Sequence, residues 1–382
     1  MRLIHFSDTH LGFAESSKVD PSTGVNTREQ DVYRSFNAVV DAAIKIKPDI
    51  VIHAGDLFHS ARPSNRAIVT ALVGFQRLTV AGIPLILVAG NHSMPRLAAS
   101  GPIFDAFRVL SGVYSAHGCK YEVFLIGDAA IHCLPHMPTD QGLQTAIESV
   151  RPRKDKKFNI LVMHAAVRGT DDSSSLVEFN QIAISPATLA GLGEFDYVAL
   201  GHYHRHIQVN SRAWYSGSTE RLHVNEAGYP KGFLEVDLAR GKQKFHPLAP
   251  RDIAVLPVLK CHNKAATDII SHLRKMLSGQ ELPSESIVVV RLEGIDPVTW
   301  IELQQERRSL ECELLSTAFE VRWEKSFSER KLGRGIDQAI GSLAAEFAAF
   351  MRNTKVEGLN RKRLENLGER LITQAQEAEV LS

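Results

Sequence analysis

The 382-residue chain has only four cysteines, Cys119, Cys133, Cys261 and Cys312, far apart and with no C-x-x-C pair. That scarcity argues against a disulfide framework or a zinc ribbon and fits a reducing compartment, so a cytoplasmic location is expected. No apolar run approaches the roughly 18 residues of a membrane span. The start, Met1-Arg2-Leu3-Ile4-His5-Phe6-Ser7-Asp8, is too short and polar to act as a signal peptide. Excess charge is missing too. Lys+Arg total 44 against 43 for Asp+Glu, so any surface that binds a polyanion must be local. There is no G-x-x-x-x-G-K-[ST] loop, internal repeat or low-complexity tract. What remains is ordinary globular composition, 44% hydrophobic and 23% charged, in a chain long enough for about two or three domains.

Histidine is unevenly spread. Of 16, all but His262 and His272 precede residue 250, which places the chemistry in the first two-thirds. There, short apolar runs alternate with helical patterns. Leu3–Ser7, Asp49–Ala54, Pro84–Ala89, Phe158–His164 and Phe195–Gly201 read as buried strands. Between the first two, Val32, Phe36, Val39, Val40 and Ala43 form one face of a helix over about 28–47, with Thr27-x-x-Gln30 as a capping box. Strands alternating with helices indicate an α/β sheet covered by helices. The stretches 122–135 and 213–238 read as antiparallel strands, so a mixed two-sheet sandwich is expected over residues 1–250. A small βαβαβ unit is expected over 251–325. After a polar, Gly-containing linker at 325–335, two amphipathic helices are expected within 336–382. Their apolar stripes suit either packing on the preceding domain or binding a partner's helix.

Five motifs end predicted strands: Asp8-Thr9-His10, Gly55-Asp56-Leu57-Phe58-His59, Gly90-Asn91-His92, a lone His164, and Gly201-His202-Tyr203-His204. Each is weak alone. Together, in order and all at strand ends, they are a strong signal, because strand ends of a sheet converge in space. Two carboxylates, an amide oxygen and several imidazoles suit manganese, iron or zinc. They are too many for one ion, and a bridging carboxylate would let them hold two.

The order of these motifs resembles the calcineurin-like metallophosphoesterase superfamily. Within it, Gly55-Asp56-Leu57-Phe58-His59-Ser60-Ala61-Arg62-Pro63-Ser64, Ala199-Leu200-Gly201-His202-Tyr203-His204 and Tyr215-Ser216-Gly217-Ser218-Thr219-Glu220 resemble the SbcD (Mre-eleven) type of double-strand-break repair nuclease. The likeness is strong over about residues 1–240. It implies two divalent ions, manganese foremost: one held by Asp8, His10, Asp56 and His204, the other by Asp56, Asn91, His164 and His202. It gives His92 the role of protonating or stabilising the leaving oxygen, with His59 in support. It also implies a 3′-to-5′ duplex exonuclease and single-strand endonuclease, a homodimer, work at the nucleoid, and an ATPase partner of the SbcC (Rad-fifty) type bound by the C-terminal helices. One departure stands out. The family's GNHD is Gly90-Asn91-His92-Ser93 here, which removes a carboxylate beside His92.

Arg62, Asn65 and Arg66 follow the GDLFH motif and are the expected DNA contacts, with the basic run Arg151, Arg153, Lys154, Lys156 and Lys157 as a second candidate. Two other readings compete. A cyclic-nucleotide or other phosphodiesterase would carry similar metals, and a non-catalytic scaffold would have Ser93 as its foothold.

Overall fold

The computed structural model describes residues 1–16, 18–93, 101–170, 182–279 and 281–328, and beyond them 347, 351, 362, 364 and 366–368. Residues 1–326 form one compact unit and 327–382 a second. The helices expected within 336–382 lie almost wholly outside the described residues.

Two six-stranded sheets organise the first unit. One contains β1 (Arg2–Phe6), β2 (Ile50–His53), β3 (Leu85–Val88), β4 (Val113–Ala116), β13 (Gly232–Asp237) and β14 (Lys242–Pro247), in the order β14-β13-β1-β2-β3-β4. The other contains β5 (Glu122–Ile126), β6 (Ala129–Leu134), β7 (Phe158–His164), β10 (Tyr197–Gly201), β11 (Ile207–Gln208) and β12 (Ala213–Tyr215), in the order β11-β12-β10-β7-β6-β5. A short pair, β8 (Ala166–Val167) with β9 (Ala183–Ile184), stands apart. Strands β1 to β4 run parallel, as do β6, β7, β10 and β12.

The period-2 alternation of strand side chains sorts each strand's residues between two cores. Ile50 and Ile52 on β2 meet Ile160 and Val162 on β7 between the sheets. Val51 points the other way, against Phe36, Val40 and Phe75 of two helices, α1 (Thr27–Ile46) and α2 (Asn65–Val80). Leu161 and Met163 face α3 (Asp140–Ser149) and α4 (Pro186–Ala190). The central parallel strands β2, β3, β7 and β10 are thus buried on both faces, and their Val/Ile-rich runs suit that position.

Two local expectations are corrected. The cap of α1 is Asn26, whose side chain accepts from the backbone N–H groups of Arg28 and Glu29; Thr27 is already helical. Asn here offers its oxygen from an extended backbone and satisfies two donors that the helix leaves open. The strands of 213–238 are antiparallel as expected where β12 meets β11 and where β13 meets β1 and β14, with one departure. β12 pairs parallel with β10, whereas β13 crosses over and pairs antiparallel with β1 in the other sheet.

Beyond residue 250, β15 (Ile253–Val255), β16 (Leu259–Lys260), β17 (Ile287–Ile295) and β18 (Glu320–Phe327) make a four-stranded sheet. Helices α5 (Ala266–Ser278), α6 (Pro297–Glu302) and α7 (Gln304–Leu314) accompany it. Its own core includes Ile269, Leu273, Val288, Val290 and Leu310. It meets the sandwich through a small apolar cluster, in which Ile253, Ile287, Val289 and Phe319 pack with Val224 and Ala227, and through charge. The buried carboxylate of Asp31 on α1 accepts from Arg251 Nε at 2.6 Å and Nη2 at 2.9 Å, from Arg28 at 2.7 Å and from Arg34 at 2.7 Å. The Arg251 guanidinium also lies 3.9 Å from the centre of the Phe319 ring. Removing one member of a buried network leaves the others uncompensated, at a cost of about 3–5 kcal/mol. Asp31→Ala is therefore expected to lower unfolding free energy by ~3–5 kcal/mol in urea titration. Arg34→Ala, whose side chain is 70% exposed, should cost no more than about 1 kcal/mol. Equal losses from the two would contradict this account.

Candidate metal centre

The C-terminal ends of β1, β2, β3, β7 and β10 reach the same edge of the sandwich, and the five motifs follow them. Close backbone approach makes this possible. Ala54 N donates to Phe6 O, Asp8 N to Gly55 O, and His10 N to Asp56 O. Asp8, His10, Asp56 and His202 all have positive φ, between 46° and 108°, a conformation that costs non-glycine residues about 1–3 kcal/mol and concentrates at functional sites. The motif glycines are needed for space. A Cβ on Gly55 would lie 2.0 Å from His164 Nδ1, one on Gly90 2.1 Å from Asp56 Oδ1, and one on Gly201 2.0 Å from the Ala54 carbonyl oxygen.

Asp56 lies at the centre. Its Oδ1 accepts from His92 N at 3.0 Å. Its Oδ2 lies 3.2 Å from His164 Nε2 on one side and 3.9 Å from His10 Nε2 on the other. His164 Nδ1 donates to the Ala54 carbonyl at 3.0 Å, so Nε2 faces both Asp56 and Asn91 Oδ1, the latter at 2.9 Å. His204 Nε2 lies 3.1 Å from His10 Nε2. The Asp8 carboxylate accepts from the His202 backbone N–H at 3.1 and 3.2 Å and from Ser7 Oγ at 2.6 Å. The His202 ring stands 5.3 Å from that of His164. Potential ligand atoms form three groups, each within 4.8 Å: Asp8, His10 and His204; Asp8, Asp56 and His164; and His10, His59 and His92.

Burial sets the electrostatics. It pushes the Asp8 carboxyl up, against the neighbouring His164 and His204. Asp56 is equally buried, yet His164 and His10 hold it well below the usual carboxylate range. For His164, burial works downward, but Asp56 outweighs it and carries the imidazole up to about 9. Burial takes His202 down to about 3 and His10 well below its ordinary value. Such opposed shifts among neighbours mark functional sites.

The donor set fits divalent cations. Around His164 Nε2, and again between His10 and His204, lone pairs converge with carboxylate oxygens, and only a proton or a cation can occupy those positions favourably. Mixed carboxylate, amide and imidazole donors suit first-row divalent ions.

His92 and His59 stand beside the cluster. Their rings stack at 5.5 Å, and His92 Nδ1 donates to the His59 carbonyl at 3.0 Å. That carbonyl fixes the direction of the His92 ring. Ser93 itself is buried, and among the described residues its hydroxyl has no hydrogen-bond partner. Arg62, Asn65 and Arg66 are not drawn into the cluster. They are exposed between His59 and the first turn of α2, and Arg66 pairs with Glu29 at 3.2 Å. The basic run 151–157 precedes β7, at the opposite end of that strand from His164. There Arg153 pairs with Asp155, and Lys156 donates to the Gly127 carbonyl.

Sequence reasoning missed Glu226, whose Oε1 accepts from His204 Nδ1 at 2.9 Å, and Lys231 behind it. No motif spacing flags either. Two histidines outside the five motifs also border the site: His136, its ring 6.5 Å from that of His164, and His223, stacked at 6.2 Å on His204.

The family model for calcineurin-like phosphoesterases matches residues 1–206. The DNA double-strand break repair protein Mre11 of Methanocaldococcus jannaschii is 31% identical over 250 residues, 63% of each chain. That of Methanococcus maripaludis is 29% identical over 255 residues, again 63% of each. That of Sulfurisphaera tokodaii is 33% identical over 208 residues, 53% of this chain and 49% of the relative. The chain thus spans less than two thirds of the length of these relatives.

A buried hydroxyl without a partner costs about 1–3 kcal/mol, and removing it returns that cost. Ser93→Ala should leave the melting temperature unchanged or raise it. A loss above ~1 kcal/mol would mean that Ser93 has a bonding role.

Proposed function

This chain belongs to the calcineurin-like phosphoesterase family, and from that premise we propose that it is a two-metal DNA nuclease of double-strand-break repair. The reading comprises 3′-to-5′ exonuclease action on duplex ends and endonuclease action on single strands. The observation that carries it is Asp56 Oδ2, which stands between the His164 and His10 imidazoles where a carboxylate shared by two cations belongs. Asp8, His10, Asp56 and His204 would hold one ion. Asp56, Asn91, His164 and His202 would hold the other. Manganese is the proposed occupant. Bound there, such a pair neutralises charge developing on the phosphate and lowers the pKa of a coordinated water.

The chain's own groups supply the rest. Because the His59 carbonyl engages His92 Nδ1, Nε2 is the nitrogen that would meet the leaving oxygen, and the ring would stabilise that oxygen or, as the doubly protonated imidazolium, give it the Nε2 proton. The stacked His59 ring restrains that imidazole. Arg62, Asn65 and Arg66 would contact backbone phosphates, giving affinity without sequence preference. Residues 251–325, tied to α1 through Asp31 and Arg251, would restrict which DNA shapes reach the site. Residues 336–382 are proposed to grip an SbcC (Rad-fifty) type ATPase, and the nuclease is proposed to act as a homodimer at the nucleoid in the cytoplasm. Among the described residues, no helix is long and apolar enough to cross a membrane.

End-labelled duplex and single-stranded DNA, incubated with the purified chain in manganese, magnesium or chelator, tests the proposal. Cleavage should require manganese and be lost in His202→Ala. A protein that binds metal and hydrolyses a small phosphodiester yet leaves both DNAs intact would instead be a nucleotide phosphodiesterase.

A further inference from the structure

We propose that Glu226, held by Lys231, is a positioning residue that aims the His204 imidazole at its cation. This deepens the two-metal reading above and rests on it. Glu226 closes a short 3₁₀ turn, Val224–Glu226, in the connection that leaves β12 and crosses to β13. It is 5% exposed. Its Oε1 lies 2.9 Å from His204 Nδ1. A carboxylate can only accept, so Nδ1 carries the proton and the Nε2 lone pair is presented toward Asp8 and His10.

The carboxylate is itself fixed. Lys231 Nζ lies 2.6 Å from Glu226 Oε2, and the Leu222 backbone N–H donates to the same oxygen at 3.2 Å. Lys231 also donates to the His204 carbonyl at 2.7 Å and to Ser218 Oγ at 2.8 Å. One buried ammonium therefore holds both the backbone of His204 and the group that orients its ring. Gly217 allows the approach: a Cβ there would lie 2.8 Å from His206 N and 2.9 Å from the His204 carbonyl oxygen. Glu226 and Lys231 cancel in formal charge, so the pair fixes the ring's direction while adding no net charge to the site. Outer partners of this kind, when removed, typically weaken metal affinity about 10–100-fold.

Calorimetric titration of metal-free protein with manganese tests this, using wild type, Glu226→Gln, His204→Ala and the double variant. In Glu226→Gln an amide nitrogen faces either the Lys231 ammonium or His204 Nδ1, and neither arrangement keeps the ring in place. One of two binding steps should weaken about 10–100-fold, with the other step and the circular dichroism spectrum unchanged. In the His204→Ala background, Glu226→Gln should add no further loss. Unchanged affinity in a folded Glu226→Gln protein would overturn the proposal, as would the same loss repeated without His204. A wild type that takes up fewer than two ions would overturn the two-metal reading alone. In that case, or if Glu226→Gln does not fold, ¹⁵N spectra of metal-free wild type decide. A proton on His204 Nδ1 bears the proposal out, and a proton on Nε2 alone refutes it.

Discussion

The Asp56 carboxylate is removed from water and placed among imidazoles, and the site depends on how its charge is met. A buried carboxylate without partners would be protonated or would destabilise the fold by several kcal/mol. Here one oxygen accepts from the His92 backbone and the other lies between His164 and His10. The left-handed backbone at residue 56 turns the side chain into this position, and Gly90 leaves room for Oδ1.

That constraint reaches into both sheets. His164 belongs to one sheet, and its Nδ1 donates to Ala54 just beyond a strand of the other. Gly201 closes the same gap from β10, with no room for a side chain against the Ala54 carbonyl. The connection from β12 to β13 crosses between the sheets and carries both Glu226 and Lys231. The inter-sheet core of Ile50, Ile52, Ile160 and Val162 thus sets the separation of the strand ends. Burial of each such side chain contributes about 1.5–3 kcal/mol, which offsets the strain and desolvation concentrated at the edge.

Much of this was legible in the sequence. The strands ending in the five motifs were readable because runs such as Ile50–Ile52 and Ile160–Met163 are continuous, apolar and rich in Ile and Val, and stop at a polar residue. That regularity brought Asp8, His10, Asp56, Asn91, His164, His202 and His204 to one edge. What escaped depends on distance in the fold rather than along the chain. Glu226 lies 22 residues from the histidine it orients and has no spacing to betray it. The Ala54 and His59 carbonyls act through backbone atoms, on which side-chain motifs are silent. Thr27 and Asn26 are both good caps, and only the backbone angles choose between them. Alternation in 213–238 gave strands, but nothing local specified that the second would change sheets.

The most direct test of the account is anomalous diffraction from crystals soaked in manganese. The account predicts two peaks about 3.5–4 Å apart, with the Asp56 carboxylate touching both, His10 and His204 on one, and Asn91, His164 and His202 on the other. A single peak, or two that do not share Asp56, would contradict it.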